Sequence, residues 1–319
     1  MRAAIVHSFE QPPRHGEIDA PTAGPGEVLV RVRAAALSQL VRAQASGKHY
    51  TSGTQLPLVP GADGIGLLED GTRVYFAFPR APIGAMAEVV AVDARQCVAV
   101  PDAVDDLTAA AIANPGMSSW AALQERAHFQ AGEQVLVNGA AGVSGRLAIQ
   151  VAKYLGASRV VATARNPAVE AELRALGADG FICLDSPPEQ LTAVLREEIQ
   201  GRGIDVVLDY LWGPPAACIL EALSGHADGQ AARRVRFVNI GALAGASIPM
   251  SPGVLRSSGL EILGSGLGSV SNQGLVQVVG QLLRAIGPAG LKVDARAVPL
   301  SEVESVWRDG TAERVVLVI

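Results

Sequence analysis

A chain of 319 residues is long enough for two domains of ordinary size. Hydrophobic residues make up 49% and charged residues 18%, which supplies a large core and excludes a disordered chain. The net charge is −5 and the longest basic run is the short RRVR at 233–236, which argues against a nucleic-acid partner.

The three cysteines, Cys97, Cys183 and Cys218, are odd in number and far apart, so reduced thiols are expected in place of a disulfide framework. The opening stretch MRAAIVHSFE turns polar after Val6, too soon for a signal peptide. No apolar run approaches the roughly 20 residues of a membrane span, so no membrane partner and a cytoplasmic setting are expected.

The first 110 residues are rich in strand patterns. EVLVRVRAAAL (27–37) alternates Val28, Val30 and Val32 with Arg31 and Arg33, a half-buried strand. Asp70-Gly71 between the apolar runs of 65–78 signals a hairpin, and 85–100 carries a second strand pair. A compact, barrel-like β domain fits this order.

The pattern changes near Pro101. The Ala-rich stretch 105–123 is helical and is expected to break at Asn114-Pro115-Gly116. From 134 onward, strand patterns at 134–138, 159–163, 180–184, 204–209, 235–240 and 260–264 alternate with helices at 144–155, 167–176, 188–200, 214–224 and 251–257. Such alternation implies right-handed βαβ units and a parallel sheet covered on both faces. After 268, SNQGLVQVVGQLLRAI and LSEVESVWRDGT have helical spacing, and ERVVLVI closes the chain as a strand. A lone strand after a complete parallel sheet must pair elsewhere. It is expected to return to the first domain, which makes 1–113 with 269–319 one discontinuous domain and 114–268 the other.

VLVNGAAGVSG (135–145) places Gly139, Gly142 and Gly145 between a buried strand and a helix beginning near Ser144. The first glycine tolerates φ > 0 at the turn, the second lets a phosphate approach the backbone, and the third lets the helix pack closely on the strand. Free N–H groups and the helix dipole then favour a pyrophosphate. The spacing is G-x-x-G-x-x-G, looser than G-x-G-x-x-G, so packing alone remains the alternative for the run by itself. The strand at 159–163, one βαβ unit on, favours the nucleotide.

NAD-binding chains tend to place Asp or Glu at the end of that second strand, on the ribose 2′-hydroxyl. Here Arg165 and Asn166 stand in the turn. A guanidinium suits a 2′-phosphate by charge and by its forked donors, pointing to NADPH; a solvated loop arginine is the alternative. Asp209, in VVLDYLWG, is placed as a structural residue at a strand end.

The stretch VLVNGAAGVSGRLAIQVAKYLGASRVVATARN followed by LRALGAD resembles the cofactor domain of medium-chain dehydrogenases/reductases. PGEVLVRVRAAALS, LPLVPGADGIG, DGTRVYF, MAEVVAV, MSSWAAL and GTAERVVLVI resemble the landmarks of that superfamily in order. The resemblance covers nearly the whole chain. It implies an α/β fold: a GroES-like β domain plus a Rossmann doubly wound parallel sheet, with the active site in the cleft between them. Zinc enzymes of the superfamily carry a Cys where this chain has Ser38 and a Gly-His-Glu segment where it has Gly61-Ala62-Asp63. The four-cysteine zinc lobe is missing, and the five histidines are scattered. The chain is therefore similar to the zinc-independent quinone oxidoreductase branch, and no metal site is expected.

The resemblance implies hydride transfer from NADPH to a quinone or an α,β-unsaturated carbonyl. A donor beside the developing oxyanion would lower the barrier. Ser38 and Ala43 stand near where related enzymes often carry Asn and Tyr, and SGKHYTSG offers Tyr50 and His49. Tyr50 is placed ahead of His49, with Ser38 third; loop residues facing solvent are the alternative. For the cofactor, Gly139, Ala140, Gly142, Val143, Ser144 and Gly145 would meet the pyrophosphate, and Arg165 and Asn166 the adenosine end. Gly241, Ala242 and Ser265, at the carboxyl ends of the sheet, and Met117 and Ser118 would lie toward the nicotinamide. The apolar LEILGSGLG strand suits an edge-to-edge homodimer. An NADPH-binding structural or sensing protein with little turnover, or an alcohol dehydrogenase-type activity, are the other functions weighed.

Overall fold

The computed structural model describes residues 1–49, 52–225, 232–308 and 313–319. They divide into two units, 1–114 with 271–319 and 115–270.

In the first unit, β1 (Arg2–Ile5) and β2 (Arg14–Glu17) pair antiparallel as a small separate sheet. The alternating stretch forms β3 (Glu27–Ala36), which buries Val30, Val32 and Ala34 while Leu29, Arg31 and Arg33 face out. A short helix, α1 (Gln39–Ala45), follows it directly. The Asp70-Gly71 turn joins β4 (Asp63–Leu67) to β5 (Arg73–Ala77) in an antiparallel hairpin. β6 (Val89–Asp93) pairs with β3, and β7 (Cys97–Ala99) pairs with β5. Val30, Val32, Phe76, Val90 and Val92 meet in one core from these strands.

The Ala-rich stretch forms α2 (Asp106–Ala121) without the expected break, and Pro115 lies inside it. Proline removes one helical N–H and crowds the carbonyl four residues back. Here Ala109–Ala113 on one side and Ser119–Leu123 on the other are buried, so the apolar packing of both halves outweighs one lost bond.

The second unit alternates as expected. β8 (Gln134–Asn138) leads into α3 (Val143–Tyr154), then β9 (Arg159–Ala164), α4 (Glu170–Ala175), β10 (Gly180–Cys183) and α5 (Pro188–Arg196). β11 (Val206–Asp209), α6 (Gly213–Leu223), β12 (Arg234–Asn239), α7 (Pro252–Arg256) and β13 (Gly259–Gly264) complete it. The six strands are parallel in the order β10-β9-β8-β11-β12-β13. Numbered from β8, that is the 3-2-1-4-5-6 order of a doubly wound Rossmann sheet, with its switch point between β8 and β11. Leu136, Val161, Val207 and Phe237 of the strands pack with Leu195, Ile219 and Leu220 of the helices.

From Ser271 the chain belongs to the first unit again. It forms α8 (Asn272–Ala289), capped by Ser271, then β14 (Ala295–Pro299), α9 (Val303–Trp307) and β15 (Arg314–Val318). β15 pairs antiparallel with β3, Val316 opposite Ala36, and parallel with β14. The returning strand is therefore an interior strand of the first unit's seven-stranded sheet. β1 (RAAI), β2 (RHGE) and β14 (ARAVP) are not visible as strand patterns, because each is short and lacks a run of large apolar residues.

Candidate functional site

The glycine turn lies where β8 ends at the switch point of the parallel sheet. Gly139 has φ +91, and a Cβ there would lie 2.8 Å from Leu211 Cγ. Both facts demand glycine. A Cβ on Gly145 would lie 2.5 Å from the Gly139 carbonyl oxygen, so α3 packs directly on the turn. Between them, Gly142 is the N-cap of α3; a Cβ on it would meet nothing within 4 Å. No side chain caps α3, and its first turn has no acidic residue. The first-turn N–H groups of Val143, Ser144 and Gly145 have no intrahelical acceptor, and the helix dipole adds partial positive charge. Ala140 is buried and its N–H donates to the Thr163 carbonyl at 2.8 Å.

Beneath the turn, four polar side chains form a row across the carboxyl ends of β9, β8, β11 and β12. Register places Thr163 beside Asn138, Asn138 beside Asp209, and Asp209 beside Asn239. Thr163 Oγ1 accepts from the Gly139 N–H at 3.1 Å and donates to Asn138 Oδ1 at 2.8 Å. Asn138 Nδ2 donates to Asp209 Oδ1 at 2.8 Å, and Asn239 Nδ2 to Asp209 Oδ2 at 3.0 Å. The N–H groups of Leu211 and Trp212 also donate to the Asp209 carboxylate, each at 3.1 Å. Burial pushes the Asp209 carboxyl up from its ordinary value, and these donors oppose the shift. Trp212 is held at φ +54, a backbone position that costs a non-glycine residue energy.

Arg165 and Asn166 follow β9 and are exposed. Among the described residues, the Arg165 guanidinium has no hydrogen-bond or ion-pair partner. Asn166 Oδ1 accepts from the Ala168 N–H at 3.0 Å and so caps the next turn. Gly241 follows β12; its N–H donates to the Asp209 carbonyl at 3.1 Å, and its own carbonyl accepts from Asn239 Nδ2 at 2.8 Å. Ala242 is exposed beside it. Ser265 is buried after β13, its N–H donating to the Asn239 carbonyl at 2.8 Å. Met117 and Ser118 lie on α2, where Ser118 Oγ donates to the Pro115 carbonyl at 2.6 Å and lies 3.2 Å from the Tyr210 hydroxyl. Burial pushes the Tyr210 phenol up to about 12. The turn after β8 and the loop after β12 are thus joined through the polar row, whereas Ser118 meets the Tyr210 hydroxyl.

In the first unit, Ser38 is the buried N-cap of α1, its Oγ accepting from the Val41 N–H at 3.1 Å. A hydroxyl that accepts at a cap keeps its own proton to donate. The His49 N–H donates to Ser52 Oγ at 3.2 Å, and partial burial lowers the imidazole's pKa. Tyr50 lies outside the described residues.

Comparison with known proteins decides the family. The chain is 33% identical, over 367 aligned positions covering 100% of both, to the protein named Probable NADPH-dependent quinone reductase tdiC of Emericella nidulans. The chain belongs to the medium-chain dehydrogenase/reductase superfamily, in its quinone oxidoreductase-like branch. Residues 144–284 match the family described as zinc-binding dehydrogenase. The quinone oxidoreductase of Thermus thermophilus, also solved in complex with NADPH, superimposes with a TM-score of 0.80, at 29% identity and 100% coverage of both chains. The chloroplastic NADPH-dependent alkenal/one oxidoreductase of Arabidopsis thaliana is 34% identical over 201 residues, 57% of this chain and 49% of that one. The fold is accordingly the superfamily's GroES-like β domain joined to a Rossmann domain.

For this superfamily member, two buried carboxylates carry more structure than the residue pattern revealed. Asp209 organises the row described above. Asp63, in the Gly61-Ala62-Asp63 segment, is buried at the start of β4. Burial pushes it up to about 6, against the opposing charge of Arg314 and a hydrogen bond with Tyr75. Asn114 Nδ2 lies 3.5 Å from its Oδ1. Neither set was legible in one dimension, because each brings together side chains from several elements, such as Asn138, Thr163 and Asn239 at Asp209, or Arg314 and Asn114 at Asp63. Among the described residues, no group of three or more His, Cys, Asp or Glu side chains could hold a metal ion, and no helix is long and apolar enough to cross a membrane.

Proposed function

We propose that this chain is an NADPH-dependent oxidoreductase that reduces a quinone or an α,β-unsaturated carbonyl. The observation that carries this is the turn at Gly139–Gly145. Its second glycine opens onto free space, its helix has uncapped N–H groups, and its third glycine brings the helix against the strand end. These features fit a pyrophosphate.

In this reading Gly142, Val143, Ser144 and Gly145 hold the pyrophosphate at the start of α3, while Gly139 and Ala140, whose N–H groups are taken by Thr163, shape the turn that it sits on. Arg165, exposed and free of partners among the described residues, pairs with the 2′-phosphate, and Asn166 shapes the turn beside it. Gly241, Ala242, Ser265, Met117 and Ser118 take the nicotinamide half. NADPH supplies the hydride when bound. The donor to the substrate oxygen is assigned to the first unit: Tyr50, His49 or Ser38. Ser38 holds a proton it can donate, and a lowered pKa leaves His49 largely neutral at neutral pH.

The same reading makes the enzyme zinc-independent, because Ser38 and Gly61-Ala62-Asp63 stand where zinc ligands would be required. It makes the protein a cytoplasmic homodimer. β13 is an edge strand of the parallel sheet with Ile262 partly exposed on it, which suits edge-to-edge pairing.

Fluorescence titration with NADPH and NADH, followed by oxidation assays across a panel of quinones and enones, tests the assignment. Tight NADPH binding with turnover on the panel is expected. NADPH binding without turnover would leave a binding protein, and absence of NADPH binding would remove the reading.

A further inference from the structure

The polar row under the two turns has a wiring that a strand-end cap alone does not require. We propose that Asp209 is a positioning residue for the dinucleotide, holding the Gly139 turn and the Gly241 loop in one arrangement through Asn138 and Thr163 on one side and Asn239 on the other. The inference rests on the NADPH reading of those two turns.

The wiring can be followed atom by atom. The Gly139 N–H donates to Thr163 Oγ1, whose proton goes to Asn138 Oδ1. Asn138 can then turn only its Nδ2 toward Asp209, and it does. On the other side Asn239 Nδ2 donates both to Asp209 Oδ2 and to the Gly241 carbonyl. The fixed ends of this row are the donor-only Gly139 N–H and the acceptor-only Gly241 carbonyl, and between them both Asp209 oxygens take N–H donors, which sets the sense of the two amides. Reversing either amide would set its oxygen against the carboxylate, acceptor against acceptor within a buried row.

Asp209 also acts through the backbone. It takes the N–H groups of Leu211 and Trp212, which bends the chain into the positive φ of Trp212. That bend sets the Leu211 side chain against the face of Gly139 where a Cβ would be. The carboxylate therefore reaches the glycine turn by two routes, the Thr163 hydroxyl and the Leu211 side chain. It reaches the Gly241 loop by a third.

The variant Asp209→Asn tests this. Whichever way the new amide is turned, one of its edges sets N–H against N–H: toward Asn239, or toward Asn138 and Leu211. NADPH Kd, read by fluorescence titration, is expected to rise about tenfold or more, the scale of one lost hydrogen bond to a charged group. The double variant Asp209→Asn with Asn239→Asp restores donor to acceptor between these two positions. It is expected to recover part of the loss, though not the link to the Gly241 carbonyl. Recovery by the second substitution assigns the loss to the Asp209–Asn239 pairing and not to a general injury at either position.

Thr163→Val removes only the hydroxyl that ties Gly139 to the row and serves if Asp209→Asn does not fold. A rise in NADPH Kd of about threefold is expected, the scale of a neutral hydrogen bond. Wild-type NADPH affinity in Asp209→Asn or in Thr163→Val overturns the proposal, as does a double variant no better than the single. Failure of the wild-type chain to bind NADPH at all would instead remove the cofactor reading, and this inference with it.

Discussion

A Cβ placed on Gly145 would lie 2.5 Å from the carbonyl oxygen of Gly139. The helix and the turn that would hold a pyrophosphate are thus in backbone contact, with no room for a methyl group. Gly145→Ala should force α3 away from β8. Its expected cost is about 1–3 kcal/mol, the range for overpacking a well-filled interior. Chemical denaturation of wild type and variant measures this, and equal midpoints would contradict the contact.

Arg165 stands where an acidic residue would select NADH. Arg165→Ala should raise the Kd for NADPH by about tenfold while leaving that for NADH nearly unchanged, since only NADPH carries the 2′-phosphate. Parallel titrations with the two cofactors read the ratio. A variant that still prefers NADPH to the wild-type extent would show that the guanidinium is solvated only.

Asp63 makes stability depend on pH in an unusual direction. Its folded carboxyl is raised to about 6 from an ordinary 3.8, chiefly by burial. The folded state therefore binds the proton more tightly than the unfolded state does. The resulting stabilisation is fully present below pH 3.8 and is lost as pH rises through about 6. Its size is on the order of 3 kcal/mol. Unfolding free energies of wild type and Asp63→Asn, compared from about pH 4 to about pH 7, isolate this group from the other carboxylates. Wild type should lose stability relative to the variant across that window. A constant difference would mean that Asp63 titrates normally.

Zinc independence has a direct check. Metal analysis of the purified protein should find zinc well below one per chain, and EDTA should leave NADPH binding and turnover unchanged. Stoichiometric zinc, or activity lost to EDTA and restored by zinc, would reverse that part of the proposal.

Much of the second unit was legible in the residues. The strand and helix spans between 134 and 264 agree with the expected ones to within a few positions, because buried parallel strands and amphipathic helices leave opposite periodicities. The backbone roles expected for Gly139 and Gly145 also have local causes, a positive φ at the one and a close approach at the other. The break expected at Pro115 is absent for the opposite reason. Proline's cost is local and visible, while the burial of the flanking alanines that offsets it is not.

The sequence by itself determined the alternation of strands and helices, the glycine turn, and the arginine that replaces an acid at the end of β9. Each depends on residues a few positions apart, where backbone geometry alone decides what meets what. Only the tertiary structure decided that Asn138, Thr163, Asp209 and Asn239 form one row, or that Asp63 is buried near Arg314. Those partners stand on separate strands, and which side chains become neighbours is set by the hydrogen-bonded register of the sheets.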